Sequence, residues 1–175
     1  MSVARIIAVR GHSAADTQGT LKLGSFRLKC ALGRSGRRVI KREGDGASPI
    51  GEWRLVEVLY RADHVLRPRT RLPVRRLWPD SGWCGSVGDR NYNREVCHAY
   101  AGSAEKMWRD DQLYDLVVVI AHNRIPRVQG AGSAIFMHLA RPGYTATEGC
   151  VALSEHDLRR VLALATRHTR LRILP

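Results

Sequence analysis

Two residues in this chain have the chemistry of acyl transfer. His138 lies in the apolar run Ala134–Ala140, and Cys150 follows Gly149 just ahead of Val151-Ala152-Leu153-Ser154. A cysteine attacks as its thiolate, yet a free thiol with a pKa near 8.5 is only slightly ionised at neutral pH. An imidazole can take the proton, and a helix N-terminus close by favours the anion. Gly149 lets backbone amides approach a developing oxyanion. The same residues have a plainer reading. A buried cysteine is often an inert part of the core, and a strand histidine often only a hydrogen-bonded one. Local features leave both readings open.

The elements that must position this pair are mostly strands. Arg5–Arg10 reads as a short apolar strand, preceded by Met1–Ala4. Phe26–Leu32 alternates, with Phe26, Leu28, Cys30 and Leu32 on one face, and ends at the turn Gly33–Gly36. Lys41–Pro49 is a loop dense in glycine and charge, and Gly51–Arg61 alternates again as a half-buried strand. Leu116–Ala121 is continuously apolar and β-branched, as a strand buried on both faces would be. One helix is clear. Ser154 and Asp157 form a capping pair, and Leu158, Val161, Leu162 and Ala165 share a face. Leu171–Leu174 closes the chain as a strand. These elements predict a mainly β domain with one or two helices.

The 175 residues fit one domain, and 44% hydrophobic content supplies a core that must be largely aliphatic, since only 6% are aromatic. Residues 62–112 differ from the rest. They hold Pro68, Pro73, Pro79 and three of the four tryptophans, and they predict an irregular insertion that lines something. Its aromatic residues argue against disorder. Trp83, Tyr92 and Asn93 are candidates to wall a binding cleft, or else to form a small satellite core. His122 and Asn123, at the end of the 116–121 strand, are candidates to line a site. Arg141 is suited to pair with a substrate carboxylate, and Glu148 to orient an amine or to pair with an arginine.

The net charge of +13 implies an anionic partner or neighbourhood. The runs Arg67–Arg71, Arg75-Arg76 and Arg167–Arg172 are scattered rather than interleaved with aromatics, so nucleic acid is not expected. The four cysteines, Cys30, Cys84, Cys97 and Cys150, contain no Cys-x-x-Cys pair, and His98, His122 and His138 match no common metal spacing. Cys84, beside Gly85, is the rival nucleophile, but neither a strand histidine before it nor a capped helix after it supports the role. Cys84 and Cys97 could pair in an oxidising compartment. No apolar run reaches membrane-spanning length, and the N-terminal stretch is too short for a signal-peptide core.

His138 followed by Thr147-Glu148-Gly149-Cys150-Val151 resembles the catalytic signature of the YkuD-like L,D-transpeptidases, in which a His-Gly precedes Ser/Thr-His-Gly-Cys-Ile/Val. Lys41–Pro49 and Gly51-Glu52-Trp53 resemble the family's early loop and strand. Trp83-Cys84, Tyr92-Asn93, Trp108–Tyr114, His122-Asn123 and Ser133–His138 resemble a distinct branch of it. Leu139 stands where glycine is common, Glu148 where histidine is, and Ala152 where arginine or asparagine is.

The resemblance implies a YkuD-like β-sandwich or barrel. It implies Cys150 as nucleophile and His138 as base, with Gly149 at the oxyanion and the histidine held by the carbonyl of Leu139. Thr147, Glu148, Arg141, His122, Asn123, Trp83, Tyr92 and Asn93 are its expected substrate-binding residues. The implied reaction joins peptidoglycan stem peptides through a thioester, with a carbapenem-type inhibitor as an expected acylating agent, no cofactor, no metal and a periplasmic location. Water as acceptor would make the enzyme an L,D-carboxypeptidase. A basic nucleic-acid- or glycan-binding module is the reading from another class.

Overall fold

A computed structural model describes residues 6–175, so Arg5 of the expected first strand and the preceding Met1–Ala4 lie outside the described residues. The chain forms β1 (Ile6–Arg10), β2 (Gln18–Leu23), β3 (Phe26–Ala31), the two-residue strands β4 (Arg37–Arg38) and β5 (Ser48–Pro49), then β6 (Gly51–Tyr60). β7 (Val74–Arg76), β8 (Ser81–Cys84), β9 (Glu95–Cys97) and β10 (Ala104–Lys106) follow. The last third contains β11 (Leu116–Ile120), β12 (Phe136–Leu139), β13 (Val151–Leu153), helix α1 (Glu155–Leu164) and β14 (Arg170–Ile173). No helix among the described residues is long and apolar enough to cross a membrane.

The large sheet runs β11-β12-β13-β3-β2-β1-β14-β6-β7, and β11 also pairs with β6. The ends therefore meet, and eight strands close into a barrel with β7 alongside. The ten residues of β6 make this possible. Its Gly51–Arg54 half pairs with β14, and its Leu55–Tyr60 half pairs with β11. Closure satisfies strand edges that would otherwise be open.

β11 is buried at every position, as a β-branched run predicts. Leu116, Val118 and Ile120 join the main core with Met137, Val151, Leu153 and the helix residues Leu158, Val161 and Leu162. Val117 and Val119 point the other way, into a second core with Phe136, Trp83, Met107 and Cys150. That second core needs a lid, and residues 62–112 provide it. Much of this segment is loop, as expected, but it folds β8, β9 and β10 into a small antiparallel sheet. The physical reason is that the exposed face of β11 and β12 carries Val117, Val119 and Phe136, which must be covered.

The helix begins where its cap predicts. Ser154 Oγ accepts from the Asp157 N–H at 3.1 Å, and Glu155 and Asp157 place acidic groups in the first turn. All four cysteines are free thiols. In the β8–β9 pair Cys97 lies opposite Ser81, three residues along the strand from Cys84. At about 3.3 Å per residue the separation is about 10 Å, beyond what a disulfide spans.

Candidate active site

β12 and β13 run parallel, with His138 opposite Ala152. The two-residue strand period then places His138, Ala152 and Cys150 on one face. These three residues line one cleft of about 600 Å³, together with Tyr114, Glu105, Arg109 and Trp83. Parallel pairing thus brings two residues twelve apart in sequence to the wall of one cleft.

A short network fixes the turn that presents Cys150. Thr147 Oγ1 donates to the Cys150 carbonyl at 2.7 Å and accepts from the Gly149 N–H at 3.1 Å. The Thr147 N–H donates to the Leu32 carbonyl, and the Arg34 N–H donates to the Thr147 carbonyl, which ties the turn to the end of β3. Gly149 has φ of 130°, and a Cβ there would sit 2.7 Å from the Ala47 carbonyl oxygen. Only glycine fits both the backbone angle and the space.

Cys150 Sγ accepts from the Phe136 N–H and donates to the Ala134 carbonyl, each at 3.3 Å. His138 Nδ1 lies 2.8 Å from the Leu139 carbonyl oxygen. A carbonyl only accepts, so Nδ1 carries the proton and Nε2 keeps its lone pair. The ring stands edge-on to Tyr114 with centroids 5.3 Å apart.

Burial dominates the electrostatics of the pair. It pushes the Cys150 thiol up to about 12, assisted by the charge of Glu105. It pulls His138 down to about 4, against the opposing pull of the Leu139 carbonyl. The resting cleft therefore holds a neutral thiol and a neutral imidazole, not a preformed thiolate–imidazolium pair. This sets an expected pH profile. The thiol's pKa is raised, so its reactive thiolate is scarce at neutral pH and grows with pH. Alkylation of Cys150 by iodoacetamide should rise about tenfold per pH unit from pH 7 to 10, read by peptide mapping. A plateau beginning below neutral pH would show an ionised resting pair instead.

Glu105 and Tyr114 form a second buried couple. The Tyr114 hydroxyl donates to the Glu105 carboxylate, and burial raises the pKa of both. The cleft's cations are Arg109, Arg141 and Lys41. Arg109 holds Asp111 at 2.6 Å, and Arg141 reaches the same carboxylate at 3.1 Å. Lys41 is buried against Asp45 and donates to the Arg42 carbonyl at 2.8 Å.

The expected binding residues divide. Thr147, Glu148, Arg141 and Trp83 line the cleft with Cys150 and His138. Glu148 stands at its exposed mouth and pairs with Arg34 at 2.8 Å. Tyr92, Asn93, His122 and Asn123 do not line it. Tyr92 is buried with its hydroxyl on Glu43. Asn93 bonds Trp83 Nε1, the Ala134 N–H and the carbonyls of His122 and Asn123, so it fastens the wall rather than forming it. His122 packs edge-on against Trp53 at 4.8 Å, and burial lowers its pKa to about 4. Asn123 closes its own loop by bonding Val128 and Gly132. Leu139 contributes its carbonyl. Glu105, Tyr114, Arg109, Lys41 and Glu43 also line the cleft. All but Glu105 fall in the segments 41–49 and 108–114 that carry the resemblance, but residue type singles out none of them. No group of three or more His, Cys, Asp or Glu among the described residues is placed to hold a metal.

The family model for the YkuD L,D-transpeptidase catalytic domain matches residues 15–173. No curated protein and no solved structure matches the chain. The match takes in the barrel from β2 onward, the small sheet and the Cys150–His138 cleft, and so the chain belongs to the YkuD family of L,D-transpeptidase catalytic domains.

Proposed function

We propose that this protein crosslinks peptidoglycan stem peptides, with Cys150 as nucleophile and His138 as general base. The observation that supports this most is the His138 tautomer. Nδ1–H is spent on the Leu139 carbonyl, which leaves the basic Nε2 in the cleft that Cys150 lines.

The steps balance as follows. Sγ attacks the carbonyl of an L-centre in the donor stem while His138 Nε2 takes the thiol proton. The Gly149 N–H is engaged by Thr147, so the Cys150 N–H is assigned to the oxyanion. The leaving amine of the terminal D-residue takes the proton from the imidazolium, and a thioester remains. An acceptor amine attacks the thioester while His138 takes its proton, and the imidazolium passes that proton to the departing Cys150 sulfur, which releases the thiol. General-base transfer during attack suits a site whose resting groups are both neutral.

Ala152, where the commoner motif carries arginine or asparagine, leaves the floor beside His138 open. Arg141 and Arg109 are assigned to the donor carboxylate in its place. Their shared partner Asp111 is partly exposed, and such ion pairs contribute little, so exchange onto a substrate costs little. This reading carries a periplasmic location, where the substrate lies.

Incubation with purified muropeptides tests it. Dimers formed by the wild type and absent with Cys150→Ala are expected. Trimmed monomers without dimers would assign a carboxypeptidase, and no change in any muropeptide would contradict the reading.

A further inference from the structure

Eight large hydrophobic residues stand exposed among the described residues, and five of them lie on three neighbouring loops. Val39 and Ile40 are on one, Val87 on the second, and Ile125 and Val128 on the third. Backbone and side-chain bonds join the loops. The Glu43 N–H donates to the Gly130 carbonyl at 2.8 Å. The Gly88 N–H donates to Gln129 Oε1 at 2.8 Å, and Gln129 Nε2 donates to the Asp89 carbonyl at 3.0 Å. The 123–132 loop is built, not slack. Asn123 Nδ2 donates to the carbonyls of Val128 and Gly132 at 2.9 Å, and its Oδ1 accepts from the Val128 N–H at 2.8 Å. That turn holds Ile125 out to solvent at 90% exposure.

The charge of the 123–132 loop itself is one-sided. Residues 123–132 include Arg124 and Arg127 and no acid. Of the acids on the flanking loops, Asp45 is paired with a cation, while Asp89 and Glu43 are fixed by neutral donors. Asp89 accepts from the Asn91 N–H and the Tyr100 hydroxyl, Glu43 from the Tyr92 hydroxyl, and Asp45 from Lys41. The positive charges of Arg94 and Arg124 help to lower the Arg127 pKa, after burial. Arg124 stacks 5.5 Å from the Trp83 ring. Arg124 Nη1 and Arg127 Nε are shielded from water and have no hydrogen-bond partner among the described residues.

Arg94 is exposed and Arg124 and Arg127 partly so. A basic cluster of this kind favours an anion, and fixed aliphatic tips beside it favour an apolar phase. A glycan or nucleic acid would meet the first need but gain nothing from Ile125. We infer that the 123–132 loop docks on an anionic lipid bilayer, with Ile125 and Val128 entering the interface and Arg94, Arg124 and Arg127 binding lipid phosphates. The same loops supply Lys41, Glu43 and Gly85 to the cleft, so docking holds the cleft beside the membrane surface.

Vesicle flotation of the intact protein tests this. The protein floats with phosphatidylcholine vesicles containing phosphatidylglycerol and not with phosphatidylcholine alone. Ile125→Asp, and separately Arg124→Gln with Arg127→Gln, each lower the bound fraction about tenfold. Arg69→Gln with Arg71→Gln removes the same charge elsewhere and lowers it less than about twofold. Thermal unfolding verifies each fold, and Ile125, at its exposure, has little packing to lose. An equal loss in the control pair would mean diffuse charge and overturn the proposal. So would no flotation on the anionic vesicles, whether accompanied by dimers that Ile125→Asp dissolves or by calorimetric binding of inorganic phosphate that Ile125→Asp leaves intact.

Discussion

Substituting His138→Gln is expected to slow acylation of Cys150 by about a thousandfold, a typical cost for removing a general base. The thiol is held near pKa 12 by burial, so it has almost no thiolate of its own at neutral pH. His138 Nε2 is the acceptor left free once Nδ1 is bound to the Leu139 carbonyl. Glutamine can still donate to that carbonyl, and its size preserves the contact with Tyr114, so stability should fall by no more than about 1 kcal/mol. The pH dependence separates a base from a spacer. In the wild type the imidazole is basic above its lowered pKa of about 4, so acylation is supported across the neutral range. In the glutamine variant the remaining rate should climb with pH, following the thiolate. A variant that keeps the wild-type rate and profile would remove His138 from the mechanism.

The second large effect is structural. Asn93→Ala should destabilise the protein by about 3–4 kcal/mol, measured by denaturant unfolding. Asn93 is 4% exposed and serves four groups through one side chain: Trp83 Nε1, the Ala134 N–H, and the carbonyls of His122 and Asn123. Alanine leaves these without their partner, and each buried polar group left unpaired costs about 1–3 kcal/mol, with partial relief from entering water. The site should suffer as well. Ala134 accepts from the Cys150 thiol, so loosening this segment misplaces the sulfur. A loss below about 1 kcal/mol would show that Asn93 is not the clamp its hydrogen bonds describe.

Asn93 also marks where sequence reading stops. Its neighbours in space come from β8, the end of β11 and the approach to β12, and nothing in Tyr92-Asn93 announces them. His122 is a similar case. A polar residue at a strand end suggests a cleft, yet Trp53 from β6 covers it. By contrast, local features marked the central pair as candidates, and the resemblance of the motif decided between the two readings. Gly149 before Cys150, a capped helix after it and a histidine in an apolar run are all short-range signals. Strand positions were legible from alternation, and Leu28, Cys30 and Leu32 are buried as it predicts, but Phe26 on the same face is 40% exposed. β6 buries Val58, Leu59 and Tyr60 in a row because both its faces are covered there. Barrel closure was not legible, since it depends on β6 turning from β14 to β11 along its length. The small sheet was hidden for the same reason. Its strands of three or four residues are too short for periodicity, and their cause lies in the apolar outer face of β11 and β12.

Glu105 and Tyr114 show the same limit inside the cleft. They are nine residues apart, and no local signal joins them, yet Tyr114 holds Glu105, whose charge acts on Cys150. Arg141 was legible as a carboxylate binder by type alone. Its sharing of Asp111 with Arg109 was not.

The central claim is that Cys150, and not Cys84, becomes acylated. The most direct measurement is intact mass after incubation with a carbapenem, for the wild type, Cys150→Ala and Cys84→Ala. The account predicts one covalent adduct on the wild type and on Cys84→Ala, and none on Cys150→Ala. An adduct that persists in Cys150→Ala would contradict it, as would one lost only in Cys84→Ala.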